Sequence, residues 1–355
     1  MKVGELMKIS FFIGSMRRGG AERVISILAN HYASKGWDVE IALLLENTVG
    51  YDLNHKIKIV DLTCVGNSYI DNLPKWLVKI RKYIKKSKPD RIVSFIGRIN
   101  VLVLNACIGL KVPIIVSERN DPKRDGRSAL MLKICEVSYK KAKAIVFQTK
   151  YQQSCFSQKL EKKSHVIINP VTVNSKISSP SEARVVTAGR LLPQKNQQMI
   201  IKAIGKAKIQ FPNIKLDIYG NGSLKQELQS LIEQLDLAAN VQLHGNVMDL
   251  HEKIASGTVF VMTSEFEGLP NALIEAMMLG LPCISTDYDG VEEVIENNRT
   301  GILIPCNDVD ALVEAITRIL SDRLYADLLK TNALKTTKKY KQEYVLKEWQ
   351  EVIER

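Results

Sequence analysis

Two carboxylates, Glu267 and Glu275, frame the segment SEFEGLPNALIEAMMLGLP at residues 264–282. On one continuous helix they would sit ~80° apart in facing and ~12 Å apart along the axis. Gly268 breaks such a run, and Pro270 suits a first helical turn. Glu267 is therefore expected in the loop ahead of a helix, with Glu275 about five residues in, ~7.5 Å farther along. Backbone N–H groups without intrahelical partners lie between them. Carboxylates accept hydrogen bonds from hydroxyls but repel phosphate, so they should flank a diphosphate rather than touch it. The layout suits a nucleotide-sugar, with phosphates at the N–H groups, one carboxylate at the sugar hydroxyls and the other at the ribose. Two glutamates on a solvated helix are the plain alternative. The Gly268-Leu269-Pro270 break and the apolar run before it weigh against that reading.

A second constellation is TAGRLLPQKN, in which Gly189 ends an apolar run and Arg190 and Lys195 flank a loop before a helical pattern. Two cations and a helix N-terminus suit a diphosphate; a solvated loop is the other reading. Glycine turns follow the next two apolar runs, at Gly220-Asn221-Gly222 and at His244-Gly245-Asn246-Val247. Near the start, GSMRRGGAERV sets Gly14, Gly19 and Gly20 between a strand-like run and a helix beginning near Ala21. Such a loop either exposes N–H groups to an anion or simply turns the chain. Its spacing is not G-x-G-x-x-G, which disfavours a nicotinamide dehydrogenase.

These motifs sit in a regular frame. Short apolar runs at 8–13, 39–44, 57–60, 91–95, 113–117 and 144–148 alternate with helical patterns, notably at 21–35, 73–86, 100–110 and 130–143. After Asn169-Pro170 comes a Ser- and Pro-rich stretch to about residue 183, read as a linker. The alternation then restarts, with strands at 184–189, 215–220, 241–245, 258–263, 282–286 and 301–305. This is the grammar of parallel sheets with helices on both faces. The expected fold is α/β: two doubly wound Rossmann-like domains, 1–168 and 169–355, facing across a cleft. Ligands in such sheets bind outside the carboxyl ends of the strands. The last helix, Gln342–Ile353, either stays with the second domain or crosses back to the first.

Composition narrows the partners. The chain has 355 residues, 45% hydrophobic and 25% charged, which excludes a disordered or fibrous protein. No apolar run approaches a membrane span, and the first residues do not read as a signal peptide, so a cytosolic site of action is expected. The six cysteines form no C-x-x-C and read as reduced core residues. The five histidines form no helical i, i+4 pair, so no histidine-based metal site is expected. The net charge of +12 is uneven: residues 1–168 carry +16 and residues 169–355 carry −4. That asymmetry points to an anionic partner for the first half. Its densest stretch, PKWLVKIRKYIKKSK at 74–88, is amphipathic. It reads either as a surface helix with a solvated basic face or as an interfacial helix on anionic lipid. No nucleic-acid-binding signature accompanies it.

On GGAERV, SERNDP at 117–122, GRLLPQKN and SEFEGLPNALIEAMMLGLPCIST, the chain resembles family 4 of the glycosyltransferases, which has the GT-B fold. The likeness covers nearly the whole chain and is similar to that of capsule and surface-polysaccharide enzymes. It implies a retaining transfer from a nucleotide-sugar, with no bound metal and no other cofactor. By the resemblance, Arg190 and Lys195 stabilise the departing diphosphate, Glu267 binds the donor sugar and Glu275 the ribose. Backbone groups of Gly268, Leu269 and Pro270 approach the phosphates. Gly220–Gly222 and His244–Val247 border the nucleobase, and Gly19 and Gly20 face the donor from the first domain. Many relatives carry a histidine after the fifth strand; here the loop reads Ser117-Glu118-Arg119-Asn120-Asp121-Pro122. Arg119 and Asn120 become the candidates for sugar or acceptor contacts, against a structural Glu118–Arg119 pair. The expected reaction moves a hexose or N-acetylhexosamine, from UDP in the first instance, to a polyprenyl-diphosphate-linked glycan. The expected place is the cytoplasmic face of an anionic membrane, touched by the basic N-terminal domain. A nucleotide-sugar epimerase of the same fold and a catalytically silent binding subunit are the alternatives.

Overall fold

In the computed structural model the described residues are 7–17, 19–64, 69–175 and 183–355; Arg18 of the first glycine loop and 176–182 of the expected linker lie outside them. The chain divides into one unit of Met1–Pro170 with Glu343–Arg355 and another of Val171–Gln342.

The first unit carries β1 (Lys8–Ile13), α1 (Gly20–Ser34), β2 (Asp38–Leu43), β3 (Lys58–Asp61), α2 (Tyr69–Ser87), β4 (Arg91–Phe95), α3 (Gly97–Ala106), β5 (Ile114–Ser117), α4 (Ala129–Tyr139), β6 (Ala144–Phe147), α5 (Lys150–Ser154) and β7 (Ser164–Val166). Its seven strands run in the order β3-β2-β1-β4-β5-β6-β7, paired parallel throughout. Alternating residues of β1 serve two cores, as the two-residue period of a strand buried on both faces requires. Ile9, Phe11 and Ile13 pack with Val24, Ile25 and Leu28 of α1. Phe12 packs on the other face with Trp76 and Ile80 of α2, Leu102 and Val103 of α3, and Cys135 and Tyr139 of α4.

The second unit carries β8 (Arg184–Ala188), α6 (Gln197–Ala207), β9 (Lys215–Tyr219), α7 (Lys225–Gln234), β10 (Val241–Gly245), α8 (Leu250–Ala255), β11 (Val259–Met262), α9 (Asn271–Met278), β12 (Cys283–Thr286), β13 (Ile302–Ile304), α10 (Val309–Ser321) and α11 (Arg323–Thr336). Its six strands follow the order β10-β9-β8-β11-β12-β13, again all parallel. Val185, Leu216, Ile218 and Val261 pack against Ile200 and Ile204 of α6 and Leu312 and Ile316 of α10.

The final helix, α12 (Gln342–Glu354), belongs with the first unit from Glu343 onward, so residues 343–355 leave the domain to which position in the chain assigns them. The reason is burial. Val345, Trp349, Val352 and Ile353 join the core beneath β1 and β4, and the Trp349 ring stacks on Phe95 with centroids 5.8 Å apart. Arg91 Nε donates to the Ile353 carbonyl over 2.9 Å, holding the C-terminal end of the helix.

In both sheets the strand order reverses beside the first strand, between β1 and β4 and between β8 and β11. Loops leaving the carboxyl ends of those neighbouring strands diverge to opposite faces, which opens a crevice for ligands there.

Candidate functional site

The crevice of the second sheet gathers most of the residues singled out by sequence. Adjacent strands β8 and β11 pair through Val185 with Val259 and Val186 with Phe260. The loops that follow them, 189–196 and 263–270, are consequently neighbours. They are tied together by polar contacts: Gln194 Nε2 donates to the Phe266 carbonyl over 2.6 Å, and Glu265 N–H to the Gln194 carbonyl over 2.9 Å. Thr263 Oγ1 donates to the carbonyls of Lys195 and Asn196, at 3.0 and 2.9 Å. Asn196 turns the chain into α6 with φ 47, a left-handed conformation that Asn tolerates better than most residues.

Across this seam the Lys195 ammonium forms an ion pair with the Glu267 carboxylate. Ser264 Oγ donates to the same oxygen, Oε1, over 2.6 Å. Both charged side chains are mostly buried, with exposures of 18% and 10%. Tyr288 lies within electrostatic reach of Glu267, and its buried hydroxyl has no hydrogen-bond partner among the described residues. Burial, with the Glu267 charge adding to it, pushes the Tyr288 pKa well above the usual phenol value. Arg190 differs from Lys195: its side chain is exposed and makes no ion pair among the described residues, while its carbonyl accepts from Gln197 Nε2 over 3.0 Å.

The glycine turns interlock with this loop. Gly189 N–H donates to the Tyr219 carbonyl over 2.9 Å, Leu191 N–H to Asn221 over 3.0 Å, and Gly220 N–H to Gly245 over 2.7 Å. The approach is so close that a Cβ on Gly220 would lie 1.9 Å from the Gly189 carbonyl oxygen, and one on Gly222 would lie 2.2 Å from that of Leu191. Gly220 also has φ +132, which disfavours any side chain. These glycines are therefore required by the geometry of the rim. His244, at the end of β10, points its Nε2 at Asp217 Oδ1 over 2.6 Å and stacks on Tyr219 with ring centroids 4.7 Å apart. Asp217 in turn accepts from Arg184 Nη1 over 3.0 Å. Val247 lies in the loop beyond, partly buried.

On the other side of Glu267, Gly268 and Leu269 lead to Pro270, which caps α9 rather than starting it. Glu275 is the fifth residue of α9 and is 7% exposed. Its Oε2 lies 3.6 Å from Nε2 of His251 on α8, and Asn174 N–H donates to His251 Nδ1 over 3.3 Å. The expected order along the chain, a loop carboxylate, a helix start and then a helical carboxylate, is thus present, with the helical carboxylate turned toward His251 of α8. Ser264, Thr263, Gln194 and His251 had not been singled out. Ser264 carries a local signal, a hydroxyl three residues before a loop carboxylate, whereas the approach of His251 to Glu275 follows only from α8 packing beside α9.

The first-unit candidates are placed differently. Gly19 caps α1 and Gly20 begins it, at the carboxyl end of β1; Gly19 exchanges hydrogen bonds with the Tyr51 hydroxyl, at 3.0 and 2.7 Å. Arg119 is 6% exposed. Its guanidinium lies over the Phe95 and Trp349 rings, 5.1 and 5.3 Å from their centroids, and Nη1 donates to Asn169 Oδ1 over 2.7 Å. Nε and Nη2 are buried without hydrogen-bond partners among the described residues, and burial pulls its pKa down to about 9. The ion-pair partner of Glu118 is Arg127, over 2.9 Å. Asn120 is exposed, and its carbonyl accepts from Gln152 Nε2 over 3.4 Å. None of the six cysteines is in a disulfide. Among the described residues no group of three or more His, Cys, Asp or Glu is placed to hold a metal ion, and no helix is long and apolar enough to cross a membrane.

Comparison with known proteins agrees with this architecture. The glycosyltransferase family 4 model matches residues 18–175 and the model described as glycosyl transferases group 1 matches residues 173–336. The chain is 29% identical, over 98% of each sequence, to a Campylobacter jejuni α-1,4-N-acetyl-D-galactosaminyltransferase named for a GalNAc-containing glycan on diNAcBac-PP-undecaprenol. A second Campylobacter jejuni protein, a diphospho-undecaprenol 4-alpha-N-acetylgalactosaminyltransferase, is 26% identical over 92% of this chain and 95% of its own. Among solved structures, Anabaena Alr3699/HepE in complex with UDP superposes with a TM-score of 0.81 at 19% identity, over 97% of this chain and 99% of that one. With two parallel Rossmann-like sheets and two consecutive family models spanning residues 18–336, the chain belongs to the family 4 glycosyltransferases of the GT-B fold.

Proposed function

We propose that the chain is a retaining glycosyltransferase that moves a hexose or N-acetylhexosamine from a nucleotide-sugar, in the first instance a UDP-sugar, to a polyprenyl-diphosphate-linked glycan. The observation that carries the reading is the Lys195–Glu267 pair at the carboxyl ends of β8 and β11. It sets a cation suited to a diphosphate beside a carboxylate suited to sugar hydroxyls, at the crevice where doubly wound sheets take ligands. Arg190 is exposed on the same loop and is the second cation for the leaving group. Fixed positive groups where negative charge develops are the electrostatic help that departure of a nucleoside diphosphate needs. In this reading they suffice without a metal or other cofactor. Glu275 takes the ribose, the backbone of Gly268, Leu269 and Pro270 approaches the phosphates, and the stapled turns Gly220–Gly222 and His244–Val247 border the base. Asn120, exposed where Arg119 is buried, is the member of that pair left to meet an acceptor.

The names of the two Campylobacter jejuni relatives support the acceptor class, and the UDP in Alr3699/HepE supports the nucleotide. The basic first half, with its exposed lysines on α2, supports work at the cytoplasmic face of an anionic membrane. Incubation with a panel of UDP-sugars, with and without a polyprenyl-diphosphate disaccharide, tests the reading. It predicts a lipid product extended by one sugar, formed only with both substrates and unaffected by a chelator, with the donor's anomeric configuration kept in its NMR spectrum. A changed sugar nucleotide from donor alone would make the chain an epimerase, and binding without turnover would make it a silent subunit.

A further inference from the structure

We propose that α4 is a membrane-inserting element whose outer face seats an apolar stripe in an anionic lipid bilayer. The inference rests on the membrane reading above and adds the part of the fold that meets hydrocarbon. α4 buries Cys135, Ser138 and Tyr139 against the sheet. Its opposite side would be polar in a merely solvated helix. Instead Leu130, Ile134 and Val137 are exposed there by 68%, 40% and 59%. Their spacing, four and then three residues, puts them in one stripe along the helix.

The charges around the stripe choose the occupant. Lys133, Lys140 and Lys141 are all exposed beside it, with stems long enough to lie along an apolar surface while their ammonium groups meet headgroups. The one acid of α4, Glu136, is drawn to another element: its Oε1 accepts from Ser157 N–H over 2.9 Å. α4 packs on α3 and α3 on α2, and all three contribute to the core under the same sheet face. The layer's outer side continues the pattern with exposed Ile108 beyond α3 and exposed Val78 among the lysines of α2. An apolar stripe edged by cations, on a layer rich in further cations, matches acyl chains under anionic headgroups. A second copy of this chain would set lysines against lysines.

Vesicle co-sedimentation tests the assignment, using phosphatidylglycerol/phosphatidylethanolamine vesicles, pure phosphatidylcholine vesicles, and low and ~1 M salt, where screening is nearly complete. Wild-type protein is expected to bind the anionic vesicles and to keep a salt-resistant fraction. The variant Leu130→Ser/Ile134→Ser/Val137→Ser changes exposed positions only. It is expected to lose that fraction and to bind about tenfold more weakly at low salt, the low end of what three partly inserted aliphatic side chains supply. A variant with Lys75→Ser, Lys79→Ser and Lys82→Ser is expected to lose the salt-sensitive part instead. Equal binding by the stripe variant and wild type would overturn the role of α4 while leaving the membrane reading intact. No vesicle binding by wild type in any condition would overturn both. A wild-type dimer in sedimentation velocity that the stripe variant abolishes, with lipid binding unchanged, would assign the stripe to self-association and overturn the proposal.

Discussion

Lys195 and Glu267, 72 residues apart in sequence, meet in an ion pair whose carboxylate oxygen also accepts a 2.6 Å hydrogen bond from Ser264. The pair closes a seam between two loops already fastened by Gln194 and Thr263. A cation and an acid held this way cannot drift with solvent, so their positions are set before any ligand arrives. Because each neutralises the other in a mostly buried place, removing one leaves the other uncompensated. Lys195→Met and Glu267→Gln are therefore expected to destabilise less together than the sum of the single changes, with a coupling of about 0.5–3 kcal/mol. Chemical denaturation of the four proteins of the cycle measures it; strict additivity would contradict the pairing.

The turn at Gly220 offers a test of the rim's backbone. Gly220→Ala drives a Cβ into the Gly189 carbonyl, and overpacking of this kind costs about 1–3 kcal/mol. Gly245→Ala meets nothing within 4 Å and bears only the strain of φ +72. The first variant should melt at lower temperature than the second and bind UDP more weakly, as thermal shift and calorimetry would report. Equal behaviour would mean that the loops do not close as described.

Trp349 holds α12 to the first unit. It is fully buried and stacked on Phe95, so Trp349→Ala should cost about 3–5 kcal/mol, and Trp349→Phe less. Hydrogen exchange localises the damage: protection should fall in β4 and α1 and persist in β9 and α6. Loss confined to the second unit would contradict the assignment of α12.

Arg119 presents the opposite case, a charge in the core with two of its nitrogens unpartnered among the described residues. Replacing an incompletely paired buried charge by an apolar side chain of similar volume is often neutral or stabilising. Arg119→Met is accordingly expected to keep stability within about 1 kcal/mol of wild type and to retain most transfer activity. A large loss of turnover at unchanged stability would instead give the guanidinium a direct part in transfer.

Much of this was legible beforehand, for identifiable reasons. Strands such as β6, four buried residues in a row, announce themselves as short apolar runs, and Gly268 with Pro270 placed the start of α9 to within one residue. The three-residue edge strand β7, exposed at His165, has too little pattern to be seen, and α11 buries only Leu329 and Ala333. The order of loop and helical carboxylates could be read from spacing because it is local. The meeting of Lys195 with Glu267 could not, since it depends on β8 lying beside β11. Arg119 reads as a candidate for sugar or acceptor contacts, or as the pair of Glu118, until Phe95 and Trp349, remote in sequence, are seen to lie against its guanidinium.

The central claim, that Arg190 and Lys195 carry the leaving diphosphate, is tested most directly by steady-state transfer assays on Arg190→Ala and Lys195→Ala with a cognate UDP-sugar and lipid-linked acceptor. Losing one transition-state donor typically lowers turnover by about 10² or more, and that fall is predicted for each variant while its fold is retained. Wild-type turnover in both would contradict the account.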